Sequence, residues 1–528
     1  MLCRFLTMAL LVLLRKSSSF QNGRILKPQR IIPLAQSSLS TTNKNQKNKI
    51  DLNPPRGTRD FFPAEMRLRT WLFQQWHEVS KSYGFEEYDS PILESEALFI
   101  RKAGEEVTQQ LYNFEDKGNR RVALRPEMTP SLARMVMSRK TSLAFPIKWY
   151  SIPQCFRYER MSLGRKREHY QWNMDIWGIE GSEAEIELLC AIISFFKKVG
   201  FNSKDIAIKV NSRSLLASLL SSIGVPTDQF SAICILVDKL EKVPLESLKS
   251  EFHNLGVNDD MLSTMVDVLK IGNLQTLKIQ LQKTNPLFLN FEDKSENKSD
   301  KVQQLEEEFK QLETLFAYAT KAGIADWLIL DTSMVRGLSY YTGIVFEAFD
   351  RKGKFRSICG GGRYDNLLST MGSDTPVRAC GFGFGDVVVM ELLASYNKLP
   401  NFEDAGSQEC DIVVSALDVM RQTRRVDSEN DNAKEVDSEN MHGEAIQVAE
   451  MLREQGLSVD LVLGPKKMKW ILKHALKKKS PFLALIGPDE WNSSQGHSIV
   501  IKDLKIESQI VVPIKSIPQW AESQSHEK

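Results

Sequence analysis

After Pro63 the apolar positions fall at helical spacing. Leu68, Trp71, Leu72, Val79 and Tyr83 share one face, and Gly84 follows as a stop. Phe85 to Ile92 reads as a strand, confined to a sheet edge by Pro91. Short strand-like runs with dense charge fill residues 120–180, and Glu183 to Val199 returns to the helical period. Residues 200–325 read as a separate helical section, with periodic runs at Leu215–Ile223, Phe230–Leu240, Met261–Leu269 and Val302–Ala319 and a polar linker at Asn290–Asp300. Strand patterns resume at Trp327–Asp331 and Gly343–Phe349, ahead of a glycine-dense stretch from Cys359 to Gly385. From about residue 409 strands and helices alternate. Asp411–Ser415, Ser458–Leu463, Phe482–Ile486, Ser498–Ile501 and Gln509–Val512 read as strands, Glu444–Gln455 and Lys466–Lys477 as helices, a small α/β domain. Its first crossover holds a polar insert, Arg421 to Asn440, with Val-Asp-Ser-Glu-Asn twice, which reads as a solvated loop expansion.

Composition bounds the class. With 42% hydrophobic and 26% charged residues among 528, the chain is neither wholly disordered nor a polytopic membrane protein. The net charge of +2 hides an asymmetry: residues 1–50 carry nine Lys or Arg and no acid, leaving 60 basic against 67 acidic side chains in the rest. Nucleic-acid contact must therefore use local basic patches. The basic, Ser/Thr-rich leader has transit-peptide composition, and its longest apolar stretch, Phe5–Leu14, is ten residues, short of the roughly 20 that span a bilayer. Seven cysteines without a C-x-x-C pair argue against a disulfide framework or zinc ribbon.

Four clusters set arginines and acids beside strand formers: Leu124–Pro130, Phe156–Asp175, Val335–Gly343 and Cys359–Asp365. A buried arginine is costly unless paired or bound to an anion, so four clusters together point to a polyanionic or carboxylate ligand. No P-loop, nucleophile elbow or H-E-x-x-H is present, and Gly381-x-Gly383-x-Gly385 lacks dinucleotide-fingerprint spacing. His77 and His474 read as structural histidines, and no metal site is expected.

From Pro54 to Val512 the chain resembles the class II aminoacyl-tRNA synthetases, specifically the histidyl-tRNA synthetases of organellar type. Pro54–Asp60 resembles the family's opening signature, Tyr83–Pro91 the dimer-interface motif 1, and Phe156-Arg157-Tyr158-Glu159 through Asp175 motif 2. Arg336–Gly343 and Gly361–Asp365 resemble the two histidine-specific signatures. The resemblance implies an α+β fold: a class II antiparallel-sheet catalytic core with a helical insertion and a C-terminal α/β anticodon-binding domain. Residues 1–50 would be the transit peptide, 51–400 the catalytic domain with its insertion at about 200–325, and 409–520 the anticodon-binding domain.

The resemblance also implies the reaction: histidine and ATP, with Mg2+ carried on the ATP, give histidyl-adenylate, and the histidyl group passes to the 3′ end of tRNA(His). Arg157 and Arg336 would be catalytic, on the carboxylate and α-phosphate. Glu127, Met128, Thr129, Arg157, Gln171, Asp175, Arg336, Tyr340 and Tyr341 would form the histidine pocket; Arg157, Glu159, Arg165 and His169 would bind ATP; and Arg160, Arg167, Lys466, Lys467 and Lys473 would contact tRNA. A homodimer in a chloroplast or mitochondrion is implied.

Three departures stand out. His169 replaces a phenylalanine that stacks on adenine, and Ser339 a common aspartate. In motif 3 the usual Glu-Arg pair is Val387-Val388, leaving Arg363, Arg165 or Arg167 to supply the missing charge. That gap lends weight to one rival reading, a regulatory partner of an ATP phosphoribosyltransferase; a second rival is an RNA-binding scaffold with a dead site.

Overall fold

The computed structural model describes residues 50–100, 109–240, 243–284, 300–334, 341–355, 357–401, 410–417, 441–494 and 496–525. The expected leader and the 421–440 insert lie outside these residues, as do Arg336, Ser339 and Tyr340. The chain divides into two units, Met1–Pro54 and Pro55–Lys528, and every sheet belongs to the second.

The main sheet has nine strands: β1 (Glu86–Glu87), β5 (Ile147–Ser151), β6 (Gln154–Phe156), β7 (Glu168–Trp177), β8 (Ile206–Ser212), β9 (Leu328–Leu330), β10 (Ile344–Asp350), β11 (Cys359–Arg363) and β12 (Ala379–Gly385). Their order is β1-β5-β7-β12-β11-β10-β8-β9, with β6 paired to β7. Pairing is antiparallel except at the two margins, β1 with β5 and β8 with β9. Beside it β2 (Leu93–Ser95), β4 (Arg121–Leu124) and β3 (Tyr112–Glu115) form a small antiparallel sheet.

Two-residue periodicity divides β7 and β12 between core and site. Trp172, Met174 and Ile176 of β7, with Phe382 and Phe384 of β12, pack under the helices Pro63–Ser82 and Glu183–Lys198. Trp172 stacks on Trp76 at 5.9 Å and donates its indole N–H to Ser80 Oγ at 2.9 Å. Helical spacing singled out Leu72 and Val79 correctly and passed over Trp76, which is fully buried. The alternate positions, Gln171, Asn173 and Asp175, lie across from Gly385, Gly383 and Gly381. The glycine-dense stretch is thus two paired strands, β11 and β12, with little side chain on one face.

Two sequence expectations need correction in this part of the chain. Residues 200–325 are not a wholly helical insertion. Ile206–Ser212 is β8, whose Ile206, Ile208 and Val210 are buried in the main core, and the Asp300–Lys321 helix adds Phe309, Leu312 and Leu315 to that same core. A separate helical cluster is built from 216 to 269, around Leu216, Val237, Phe252 and Met265. The strand expected from Phe85 to Ile92 shrinks to Glu86–Glu87, since a proline at 91 cannot extend the ladder.

The last section is a five-stranded sheet in the order β14-β13-β15-β16-β17: Val459–Leu461, Ile412–Ala416, Phe482–Ile486, Ser498–Asp503 and Ser508–Pro513. The helix expected from Lys466 begins at Met468. Only Ile471 and Ala475 are buried, while Met468, Trp470, Leu472 and Leu476 are exposed.

Candidate active site

The β6–β7 hairpin builds one wall of the site. Its turn is closed between Ser162 and Arg165, with Gly164 at φ +73°. A Cβ on Gly164 would lie 2.9 Å from Val388 Cγ2, so the turn rests directly on Val388. At the hairpin's base, Gly57 O accepts from the amides of Arg167 at 3.0 Å and Glu168 at 3.3 Å. Arg59 pairs with buried Asp386 at 2.9 Å, and Asp386 Oδ1 accepts from the Tyr170 amide at 2.8 Å. The opening signature thereby braces motif 2 against motif 3. Burial raises the Asp386 carboxyl, and the Arg59 charge opposes it.

Two cavities meet at this wall. A cleft of about 200 Å³ is lined by Arg157, Glu159, Gly164, Arg165, Lys166, His169, Gln171, Val387 and Val388, among others. A recess of about 70 Å³ is lined by Glu127, Thr129, Arg157, Gln171, Asn173, Tyr341 and Tyr364 over Gly360, Gly381 and Gly383. Arg157 and Gln171 line both. Arg157 Nε donates to Pro126 O at 2.9 Å, which anchors the guanidinium at the junction.

In the cleft, Arg165 Nη1 lies 2.9 Å from Glu159 Oε2. Burial pushes the imidazole of His169 down to about 3, reinforced by the charges of Arg157 and Arg59, which favours the neutral ring. Arg167 does not line the cleft; its guanidinium lies over the Tyr158 ring at 3.9 Å. Arg160 is exposed on the hairpin.

Beside the recess, Asp175 is fully buried. Its Oδ1 accepts from the Tyr364 hydroxyl, and its Oδ2 has no partner among the described residues. Burial raises the carboxyl to about 7, with the Tyr364 hydrogen bond opposing the shift. Gly381 and Gly383 leave the space that Asp175 and the Gln171 amide fill. Burial also raises Tyr341, with Glu127 adding to the effect. Met128 does not line the recess: its sulfur contacts Ser90 Oγ at 3.5 Å and Arg125 Nη1 at 3.7 Å.

The polyanion argument from four arginine-bearing clusters holds for only part of them. Arg125 is buried and spent on Asp89 Oδ1 at 2.8 Å, Ser90 O at 2.6 Å and Gln154 O at 2.9 Å. Arg363 grips Glu185 through two hydrogen bonds of 2.6 and 2.7 Å and also donates to Ile179 O and Gly181 O. Burial pulls the Arg363 guanidinium down, but the Glu185 bonds outweigh it and hold it charged. Arg363 is thus ruled out as the missing motif 3 charge. Of the other two arginines weighed for that charge, Arg165 lines the cleft and Arg167 does not.

Sequence reading missed Asn173 and Tyr364 as lining residues. The alternation of β7 carried the signal for the first, since 171, 173 and 175 must share a face. Tyr364 stood inside a recognised signature with no role assigned.

In the C-terminal section Lys466, Lys467 and Lys473 are exposed. Trp470 stacks on His474 at 4.7 Å with Lys466 Nζ 5.3 Å from its ring, and His474 Nε2 lies 2.9 Å from Asp460 Oδ2.

Comparison with known proteins agrees with this architecture. The family model for histidyl-tRNA synthetase matches residues 57–385, and that for an anticodon binding domain matches residues 428–524. The chain is 46% identical over 476 residues to the chloroplastic/mitochondrial histidine–tRNA ligase of Arabidopsis thaliana, covering 90% of this chain and 88% of that one. Among solved structures, histidyl-tRNA synthetase from Nostoc sp. PCC 7120 shares the fold with a TM-score of 0.64 at 22% identity, covering 90% of this chain and all of that one. A Bacillus halodurans protein described as an ATP phosphoribosyltransferase regulatory subunit/histidyl-tRNA synthetase gives 0.61 at 19% identity, covering 81% of this chain and 97% of that one. On the family match and the level of identity across most of its length, the chain belongs to the histidyl-tRNA synthetase family.

Proposed function

We propose that the chain is a histidine–tRNA ligase whose cleft receives ATP and whose recess receives histidine. The observation that carries this reading is Arg157, one anchored guanidinium lining both cavities. A carboxylate oxygen of histidine attacks the α-phosphorus, the bond to the bridging oxygen breaks, and pyrophosphate leaves. Arg157 neutralises charge on both reacting groups, as a fixed fork of donors can. Arg336, outside the described residues, is the second cation by family resemblance. The tRNA 3′ hydroxyl then attacks the activated carbonyl and releases AMP.

Neutral His169 offers a ring to stack on adenine, and Glu159 an acceptor for its amino group. Arg165, held over the cleft by the turn on Val388, supplies the triphosphate charge that motif 3 lacks. Mg2+, as part of the ATP substrate, would add positive charge against the phosphates. Glu127, Thr129 and Gln171 hold the α-ammonium; Asp175, Tyr340 and Tyr341 enclose the imidazole. Arg160 and Arg167 on the hairpin, and Lys466, Lys467 and Lys473 on the C-terminal helix, contact tRNA(His) phosphates. Residues 51–400 and 409–520 serve as catalytic and anticodon-binding domains.

The acid-free leader and the resemblance to a chloroplastic/mitochondrial ligase support organellar import, and motif 1 supports a homodimer. Among the described residues no helix is long and apolar enough to cross a membrane. A regulatory paralogue shares the fold, but the lined amino-acid recess together with the anticodon-binding match favours the ligase. ATP–pyrophosphate exchange run with each of the twenty amino acids tests the proposal. Exchange with histidine alone is expected; none from folded protein would overturn it.

A further inference from the structure

The ladder between β7 and β12 ends at the pair Gln171 and Gly385. The position that would follow on the β12 side is Asp386, where the chain turns into the helix Asp386–Ser395. The Gln171 amide is spent on Pro153 O, so alternation along the strand turns the Tyr170 amide the other way. Asp386 meets it with its side chain: Oδ1 accepts from the Tyr170 amide at 2.8 Å, while Oδ2 lies 2.9 Å from Arg59 Nη2. Arg59 in turn holds Glu168. Its backbone amide donates to Glu168 Oε2 at 3.2 Å, and Nη2 donates to Glu168 O at 3.4 Å. Glu168 and Asp386 are both buried. The two chain neighbours of His169 are therefore each fixed by groups from outside the β6–β7 hairpin, and His169 itself lines the cleft.

Two acids and an arginine gathered at the base of a hairpin carry a desolvation cost that an apolar joint would avoid. What the charged joint supplies is fixed direction. A carboxylate presents its oxygens two ways, and here one reaches a strand amide and the other a guanidinium. Resting on the proposed function, we infer that Arg59 and Asp386 are positioning residues for the nucleotide: the pair fixes Glu168–Tyr170 and so orients the His169 ring against adenine. Neither side chain lines the cleft, so both act through the strand. Orientation matters more for an imidazole than for a larger aromatic ring, because there is less area to stack on. The Arg59 guanidinium has a second effect on the same ring. After burial and the charge of Arg157, it disfavours a proton on His169.

The test uses the full-length chain in histidine-dependent ATP–pyrophosphate exchange. Asp386→Asn keeps an oxygen for the Tyr170 amide but turns an NH2 toward Arg59; Arg59→Met keeps the stem and removes the charge. Each is expected to raise the KM for ATP by about tenfold or more, the scale of a misplaced binding group, and to leave the KM for histidine within about twofold. The double variant is expected to be no worse than the poorer single, because both break one pair. Arg59→Lys is expected to recover part of the loss. Inhibition by adenosine and by tripolyphosphate, each competing against ATP, separates the two ends of the nucleotide. Adenosine inhibition is expected to weaken in parallel with the KM for ATP, and tripolyphosphate inhibition to stay within about twofold. An unchanged KM for ATP, an equal rise for histidine, or additive losses in the double variant would overturn the inference. So would weakened tripolyphosphate inhibition with adenosine unaffected, which would make Arg59 a phosphate-binding cation. Variants that do not fold would assign the pair to the fold alone and overturn it as well. Absence of histidine-dependent exchange in the wild type would instead overturn the proposed function.

Discussion

The amide of Gln171 occupies the volume in which a side chain at Gly383 would stand, with Gln171 Cδ 2.8 Å from the position of a Cβ there. The far end of a flexible side chain can swing aside, so Gly383→Ala should fold with a stability loss of about 1 kcal/mol or less while losing the placement of Gln171. We expect exchange activity to fall by at least about tenfold with little change in melting temperature. Gly361→Ala is the contrast. Its Cβ would meet the Gly381 carbonyl, Phe382 Cβ at 2.6 Å and Phe346 Cε2 at 2.7 Å. That collision is with backbone and core, and should cost about 1–3 kcal/mol in urea unfolding. Similar stability losses in the two variants would contradict the division of the sheet into a site face and a core face.

On the proposed function, Asp175 should make histidine binding depend on pH. Its folded-state carboxyl is raised to about 7 against an ordinary value of 3.8. A neutral carboxyl accepts an imidazole N–H weakly, so the KM for histidine should fall as pH rises from 6 to 8. Asp175→Asn, which keeps the acceptor for Tyr364, should flatten that slope. The stability effect follows the same shift. The folded state holds this proton more tightly than the unfolded chain, so the stabilisation is complete below about pH 4 and lost as pH rises through about 7. Asp175→Asn should therefore raise the melting temperature more at pH 8 than at pH 5, with a ceiling of about 4 kcal/mol. A pH-independent difference would contradict the assignment.

With Arg363 committed to Glu185, the proposed triphosphate cation is Arg165. Arg165→Ala should raise the KM for ATP about tenfold or more and leave that for histidine nearly unchanged. Lys in its place should restore part of the loss, as a point charge without the planar fork. Equal effects on both substrates would instead point to collapse of the hairpin.

Arg363→Ala leaves Glu185 fully buried and without its guanidinium. Breaking a buried pair in this way costs about 3–5 kcal/mol, measurable in urea unfolding. Weakened ATP binding with undiminished stability would show that the pairing has been misread.

Changing Lys466, Lys467 and Lys473 together to Glu should depress tRNA charging and spare exchange. The loss should shrink as salt is raised, because phosphate contacts weaken with ionic strength. A defect in exchange would place the helix in the catalytic machinery instead.

Much of this was legible in the chain itself. The Phe230–Leu240 helix and the Phe482–Ile486 strand carry clean periodicity, and their bounds followed from it. Motif 2 placed Arg157, Glu159, His169 and Gln171 together because one hairpin holds them all. What stayed hidden depended on partners far away in sequence. Nothing local distinguishes Arg363, tied to a helix 178 residues upstream, from Arg157, aimed at a cavity. Ile206–Ser212 was absorbed into a helical section because a short apolar run does not by itself declare strand or helix. Periodicity reports which residues share a face and not how much of that face is covered: in the Met468–Lys477 helix Ile471 and Ala475 are the buried positions.

Gly57, at φ +92°, packs so closely on Arg167 that a Cβ there would lie 2.7 Å from its Cγ. This contact sits two residues past Pro55, where the folded unit begins. Any peptidase that trims the front of the chain therefore meets a firm downstream limit. A cut a few residues too late would take Gly57 and Arg59 with it, and the shortened chain would lose the strap that fastens the β6–β7 hairpin.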